Sequence, residues 1–126
     1  MDKAKEKQLQ DEFAPWFENL YGDPTKTCLA WGLCVGDGWF PLIYDLCKSI
    51  KPLVGPDFRV EQVKEKFGGL RFYCSGGSKE AYDLISKAEE DSYTICEQCG
   101  TKDNVIVGGS WILTLCTSCR ADRKKQ

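Results

Sequence analysis

Two cysteine pairs, Cys96-Glu-Gln-Cys99 and Cys116-Thr-Ser-Cys119, stand sixteen residues apart and constrain this chain more than any other feature. The pattern C-x2-C-x16-C-x2-C has the spacing of a four-cysteine zinc site. Two thiolates three positions apart on a tight knuckle can both reach one metal at about 2.3 Å. Gly100 follows the first knuckle, where a residue at positive φ is expected. Between the knuckles, Val105-Ile-Val107 and Trp111-Ile-Leu-Thr-Leu115 read as two short strands joined through Gly108-Gly109-Ser110. The segment 93–126 is therefore expected to be a zinc ribbon. Its metal ligands are Cys96, Cys99, Cys116 and Cys119, and its cofactor is a structural Zn2+, because four cysteines leave no open coordination position. A thioredoxin-like redox pair would need a βαβ setting, which is missing here. Four thiolates also suit a rubredoxin-like iron or an iron–sulfur cluster.

Eight cysteines and no histidine in 126 residues sharpen the chemistry. Without histidine there is no Ser-His-Asp, Cys-His or HExxH scheme, and no His-ligated catalytic zinc. A deaminase signature is also missing, since neither knuckle is preceded by proline. The formal charge of −2 is not that of a chain held on nucleic acid by bulk electrostatics. A 42% hydrophobic and 12% aromatic composition can build a core without staples. The first ten residues carry no apolar signal region, and the longest apolar stretch, Cys28 to Gly36, is far short of the roughly 20 residues of a membrane span. The expected location is cytoplasmic, where thiols stay reduced. Cys28, Cys34, Cys47 and Cys74 lack paired spacing and are expected to be buried thiols rather than a second metal site.

The remainder, 1–92, reads as a helix–hairpin–helix body, forming one compact α+β unit with the ribbon. Leu9, Phe13, Trp16 and Leu20 recur at helical spacing, with Pro15 marking a kink or break. Residues 22–36 read as a loop. Asp37 is placed to cap a helix with Pro41 in its first turn and an apolar stripe of Trp39, Leu42, Ile43, Leu46, Cys47 and Ile50; Pro52 ends it. Val63–Phe67 and Leu70–Cys74 form a hairpin about a Gly68-Gly69 turn. That turn pairs Phe67 with Leu70, Glu65 with Phe72, Val63 with Cys74, Lys66 with Arg71 and Lys64 with Tyr73. Glu65 is the misfit on the apolar face, to be explained by a bulge or a cationic partner. Ser78 caps a last helix of about 79–92, with Ala81, Leu84, Ile85 and Ala88 inward.

Two groups of residues are candidates for partner binding. Lys64, Lys66, Arg71 and Tyr73 share the outer hairpin face, where Lys66 opposite Arg71 is a like-charge pair. Arg120 and Arg123, with Lys124 and Lys125, form a basic run after the last knuckle. Both are either solvated surface or docking sites for an anion, a phosphate backbone or an acidic protein. Trp31 and Trp111 are core residues, or partner anchors if exposed. No catalytic residue and no phosphate loop is found.

Gly38-Trp-Phe-Pro-Leu-Ile43, Glu65-Lys-Phe-Gly-Gly-Leu-Arg-Phe-Tyr73, Cys96-x-x-Cys-Gly100 and Trp111-Ile-x-Thr-Leu-Cys116 occur in an order that resembles a group of small uncharacterised proteins of bacteriophages, prophages and bacterial genomes. The resemblance covers roughly 35–120, and the Glu65–Tyr73 run is its most specific part. Members of that group often end the ribbon with a histidine, where Cys119 stands here. The resemblance transfers no activity. It implies a small accessory protein acting in the host cytoplasm, such as an inhibitor of a defence system. The leading expectation is a non-enzymatic, zinc-binding protein that binds a protein partner and has no membrane role. The alternative is a nucleic-acid-binding zinc-ribbon protein.

Overall fold

A computed structural model of the chain describes residues 1–124, so Lys125 of the basic run lies outside the described residues. The fold is α+β, with four helices and two separate two-stranded antiparallel sheets among the described residues. In chain order these are α1 (Lys3–Glu12), α2 (Phe40–Ile50), β1 (Arg59–Lys66), β2 (Gly69–Ser75), α3 (Lys79–Asp91), β3 (Val105–Gly108), β4 (Leu113–Cys116) and α4 (Thr117–Lys124). Burial divides into two clusters. The larger draws on α1 to α3 and the first hairpin, and the smaller is built of Cys96, Leu115, Cys116 and Cys119.

α1 begins at Asp2, whose carboxylate accepts from the amides of Ala4 and Lys5. It stops before Pro15, and Phe13, Trp16 and Phe17 reach the core from a series of tight turns instead of one continued helix. α2 carries the expected stripe, with Trp39, Ile43, Leu46, Cys47 and Ile50 all buried. Its start differs from expectation. A single 3-10 turn, Asp37–Trp39, leads into it without a side-chain cap, and Asp37 accepts instead from the amide of Asp2 at 2.6 Å. Ser78 caps α3 by accepting from the amide of Ala81.

The first hairpin turns one residue earlier than its glycines suggest. Phe67 (φ 54°) and Gly68 (φ 84°) are the turn residues, and two positive φ values mark a type I′ turn. Gly69 instead opens β2, where a side chain would collide with the Tyr93 ring. The register therefore places Arg71 opposite Lys64, not Lys66, and Tyr73 opposite Gln62. A slip of two residues keeps the paired side chains on their expected faces, but Phe67, expected opposite Leu70 on the inward face, becomes a turn residue and is 66% exposed. The strand is bulged, but between Val60 and Gln62. Glu65 has neither a bulge nor a cation to explain it: its Oε2 accepts from the Gly68 amide at 2.7 Å and ties down the turn.

Both edges of this hairpin are covered. On the β2 side, the Leu70 amide donates to Ser92 Oγ and the Phe72 amide to Glu89 Oε2, each at 3.0 Å. On the β1 side, Cys34 makes a parallel bridge, with its amide donating to Val63 and its carbonyl accepting from Glu65. Covered edges do not recruit foreign strands. Cys47 is buried and Cys74 half-buried, but Cys28 and Cys34 are exposed, contrary to expectation. Cys34 alternates with buried Leu33 and Val35 in extended chain, so its side chain takes the opposite face. Cys28 opens a short 3-10 turn whose buried residue is Leu29.

Candidate metal centre

The four knuckle cysteines meet at one point. Their sulfurs all lie within 4.8 Å of one another, with Cys99 Sγ and Cys116 Sγ 3.8 Å apart. A tetrahedron with metal–sulfur bonds of about 2.3 Å has sulfur–sulfur edges of about 3.8 Å. The donor set thus fits one metal ion and is compatible with zinc. Cys96, Cys116 and Cys119 are buried, and Cys99 faces solvent.

Backbone geometry builds the cage. Gly100 adopts φ 82°, as its place after the knuckle requires, and donates its amide to the Cys96 carbonyl. The Cys119 amide points at Cys116 Sγ at 3.4 Å. Burial raises the Cys96 thiol, but the backbone amides of Cys116, Cys99 and Gln98 outweigh it and bring its pKa down to about 6. β3 and β4 pair from Val105 opposite Cys116 to Gly108 opposite Leu113. The loop between them is longer than expected, which moves Trp111 and Ile112 out of the strand and into solvent.

The ribbon is fastened to the body at two places. At the first, the Gly38 amide donates to the Glu97 carbonyl at 2.7 Å, the Gly36 amide to Glu97 Oε2 at 2.9 Å, and Trp39 Nε1 to the Ile95 carbonyl at 2.9 Å. At the second, the Thr114 hydroxyl donates to the Gly68 carbonyl at the hairpin turn. Glu97 links the two contacts, since it accepts both bonds from Gly36 and Gly38 and donates its own amide to the Thr114 carbonyl. Burial raises its carboxyl pKa, the nearby Glu65 charge adds to this, and the Gly36 amide opposes it.

Of the two groups expected to bind a partner, the first keeps to one face of the first hairpin, with Lys64 opposite Arg71. Lys64 is half-buried, while Lys66 and Tyr73 are exposed. Arg71 is half-buried, and the Tyr93 hydroxyl beside it is the main reason its pKa is raised. Arg120 is a structural clamp. Its guanidinium donates to the carbonyls of Gly108, Ile106 and Leu113 at 3.2, 2.7 and 3.1 Å and clamps the loop end of the β3–β4 hairpin. Arg123 is exposed.

Sequence reasoning passed over an apolar patch at the seam between body and ribbon. Trp111 is 73% exposed and Phe67 66%, and the exposed Ile112 lines one cleft with both, while Val107 lies against the same turn and Ile106 flanks Trp111 from the other face of β3. The methyl groups of Ile112 and Val107 abut Gly68, which joins the hairpin turn to the ribbon loop. Trp111 borders three clefts, of about 560, 400 and 320 Å³. An exposed aliphatic on each side of a tight turn gives no periodic signal in sequence, and only Trp111 was singled out there. No family model, curated protein or solved structure matches this chain. Among the described residues no helix is long and apolar enough to cross a membrane.

Proposed function

We propose that this chain is a non-enzymatic, protein-binding protein of the bacteriophage type suggested by its Glu65–Tyr73 run, acting in the host cytoplasm on a host factor such as a defence-system component. Its metal is Zn2+, held by Cys96, Cys99, Cys116 and Cys119, and its role is structural because all four coordination positions are filled by protein. The observation that carries the reading is the apolar patch around Trp111. Contiguous exposed apolar surface of this kind, with an exposed tryptophan at its centre, is typical of protein contacts. The zinc ribbon supplies most of the patch, and the hairpin turn supplies Phe67.

The test is to pass tagged, zinc-loaded protein through host lysate with and without nuclease. A nuclease-resistant protein partner is expected. Recovery that disappears with nuclease would replace this reading with nucleic-acid binding, in which the logarithm of the affinity falls linearly as log salt rises. Turnover of any substrate that is lost on changing Arg71 or Glu65, with the fold intact, would overturn the non-enzymatic assignment.

A further inference from the structure

Given a protein-binding role, the surface around Trp111 sets what the partner must present. On one side of the indole lies a cleft of about 320 Å³ walled by Phe67, Trp111 and Ile112. Trp111 also borders a cavity of about 400 Å³ lined by Leu113 and Leu115 together with Glu65, Glu97 and Asp37. Arg123 is the one basic residue that lines it. Asp37 is matched by Lys5 at 3.9 Å, but neither Glu65 nor Glu97 has an ion-pair partner among the described residues. Each glutamate uses Oε2 on a backbone amide, that of Gly68 or Gly36. Their Oε1 atoms accept nothing from the described residues and are not sealed from solvent. Phe67 adds a second aromatic at the same place, held at a positive φ that a glycine or asparagine would adopt with less strain.

The geometry points to a docking surface for a polypeptide segment that presents an apolar side chain beside an arginine or lysine. The apolar side chain fills the Phe67–Trp111–Ile112 cleft. The basic side chain lays its methylenes along Trp111 and Leu113 and brings its charged head to the free oxygens of Glu65 and Glu97. Tryptophan is the best aromatic partner for a cation, and long basic side chains carry an apolar stem. A phosphate backbone would meet two unpaired carboxylates here and is disfavoured.

The experiment titrates the labelled, zinc-loaded full chain with short blocked peptides carrying one leucine and one arginine at varied spacing on a glycine-serine background. A matched set has citrulline in place of arginine, and the Trp111 indole and Glu65 side-chain NMR signals are read. Saturable shifts at both sites are expected for at least one arginine peptide, with its citrulline match about tenfold weaker, as loss of a charge-assisted contact implies. Trp111→Ala and Glu65→Gln should each weaken binding about as much, with zinc content and the remaining spectrum unchanged. The proposal is overturned if no peptide moves these signals at millimolar concentration, or if citrulline peptides bind equally. It is also overturned if the signals respond instead to oligothymidylate or to the protein's own concentration. A lysate partner held equally by wild type and Trp111→Ala would leave the protein-binding role standing and exclude this surface. No partner held by either would remove the role itself.

Discussion

A Cβ on Gly38 would fall on the carbonyls of Cys96 and Glu97 and on the Gly100 amide, all of them backbone atoms that cannot swing aside. Gly38→Ala must therefore push the first knuckle away from α2. The expected cost is about 1–3 kcal/mol, with the knuckle and the Trp39–Ile95 bond disturbed together. Gly55 is the control, because nothing lies within 4 Å of its added Cβ. Gly55→Ala should change stability by no more than about 1 kcal/mol, toward greater stability. Denaturant unfolding of the zinc-loaded protein measures both. Ser92 is a second residue whose size conceals its importance. It is fully buried, accepts from the Leu70 amide at 3.0 Å and donates to the Glu89 carbonyl at 2.6 Å. Ser92→Ala should cost about 1–3 kcal/mol, since it strands a buried amide on the β2 edge.

At the scale of elements, the first hairpin and α4 show where local pattern stops being informative. The Phe67-Gly68 turn holds a non-glycine residue at φ 54°. Phe67→Asn should stabilise the isolated protein by up to about 1 kcal/mol in the same unfolding assay, since asparagine tolerates that conformation. α4 was invisible to apolar periodicity because it is almost wholly polar. It is placed by Cys119, which turns into the cysteine cluster, and by Arg120, whose guanidinium holds three carbonyls of the β3–β4 hairpin. Arg120→Lys keeps the charge but cannot span those carbonyls. Faster amide hydrogen exchange over 106–113 is expected for that variant, with little change in the body. By contrast, α2 and α3 were legible because their inward residues recur at helical spacing and Ser78 caps the second. The four metal ligands were legible because a knuckle fixes its own spacing. The turn position was not, since two tertiary contacts, the Tyr93 ring over Gly69 and Thr114 on the turn, act on it together with the local Glu65 bond to Gly68. Cys28 and Cys34 were misjudged for a related reason, because thiol burial depends on which face of an extended or turning segment the fold covers.

For the whole molecule, a metal held by the four cysteines would change both charge and cohesion. Four thiolates add −4 and Zn2+ adds +2, so a formal charge of −2 becomes −4 in the loaded protein. A more acidic protein is less attracted to nucleic acid in bulk, which agrees with the proposal of a surface that takes a basic side chain. The smaller cluster is built from three of the four ligands plus Leu115, so little apolar packing remains if the metal leaves. Structural zinc in small units contributes on the order of 10–16 kcal/mol of binding free energy that doubles as folding energy. Because the ligands bind as thiolates, protons compete with the metal, and zinc release should rise as pH falls. The fastenings at Gly36, Gly38 and Thr114 carry the loss into the body, so chelation should also broaden the signals of the hairpin turn and of Trp39. The most direct test is native mass spectrometry of protein folded with zinc, paired with amide exchange before and after chelation. One zinc per chain is expected, with protection over 96–119 lost on its removal and absent in Cys99→Ser. A chain that binds no zinc, or whose 96–119 segment stays protected without it, would contradict the account.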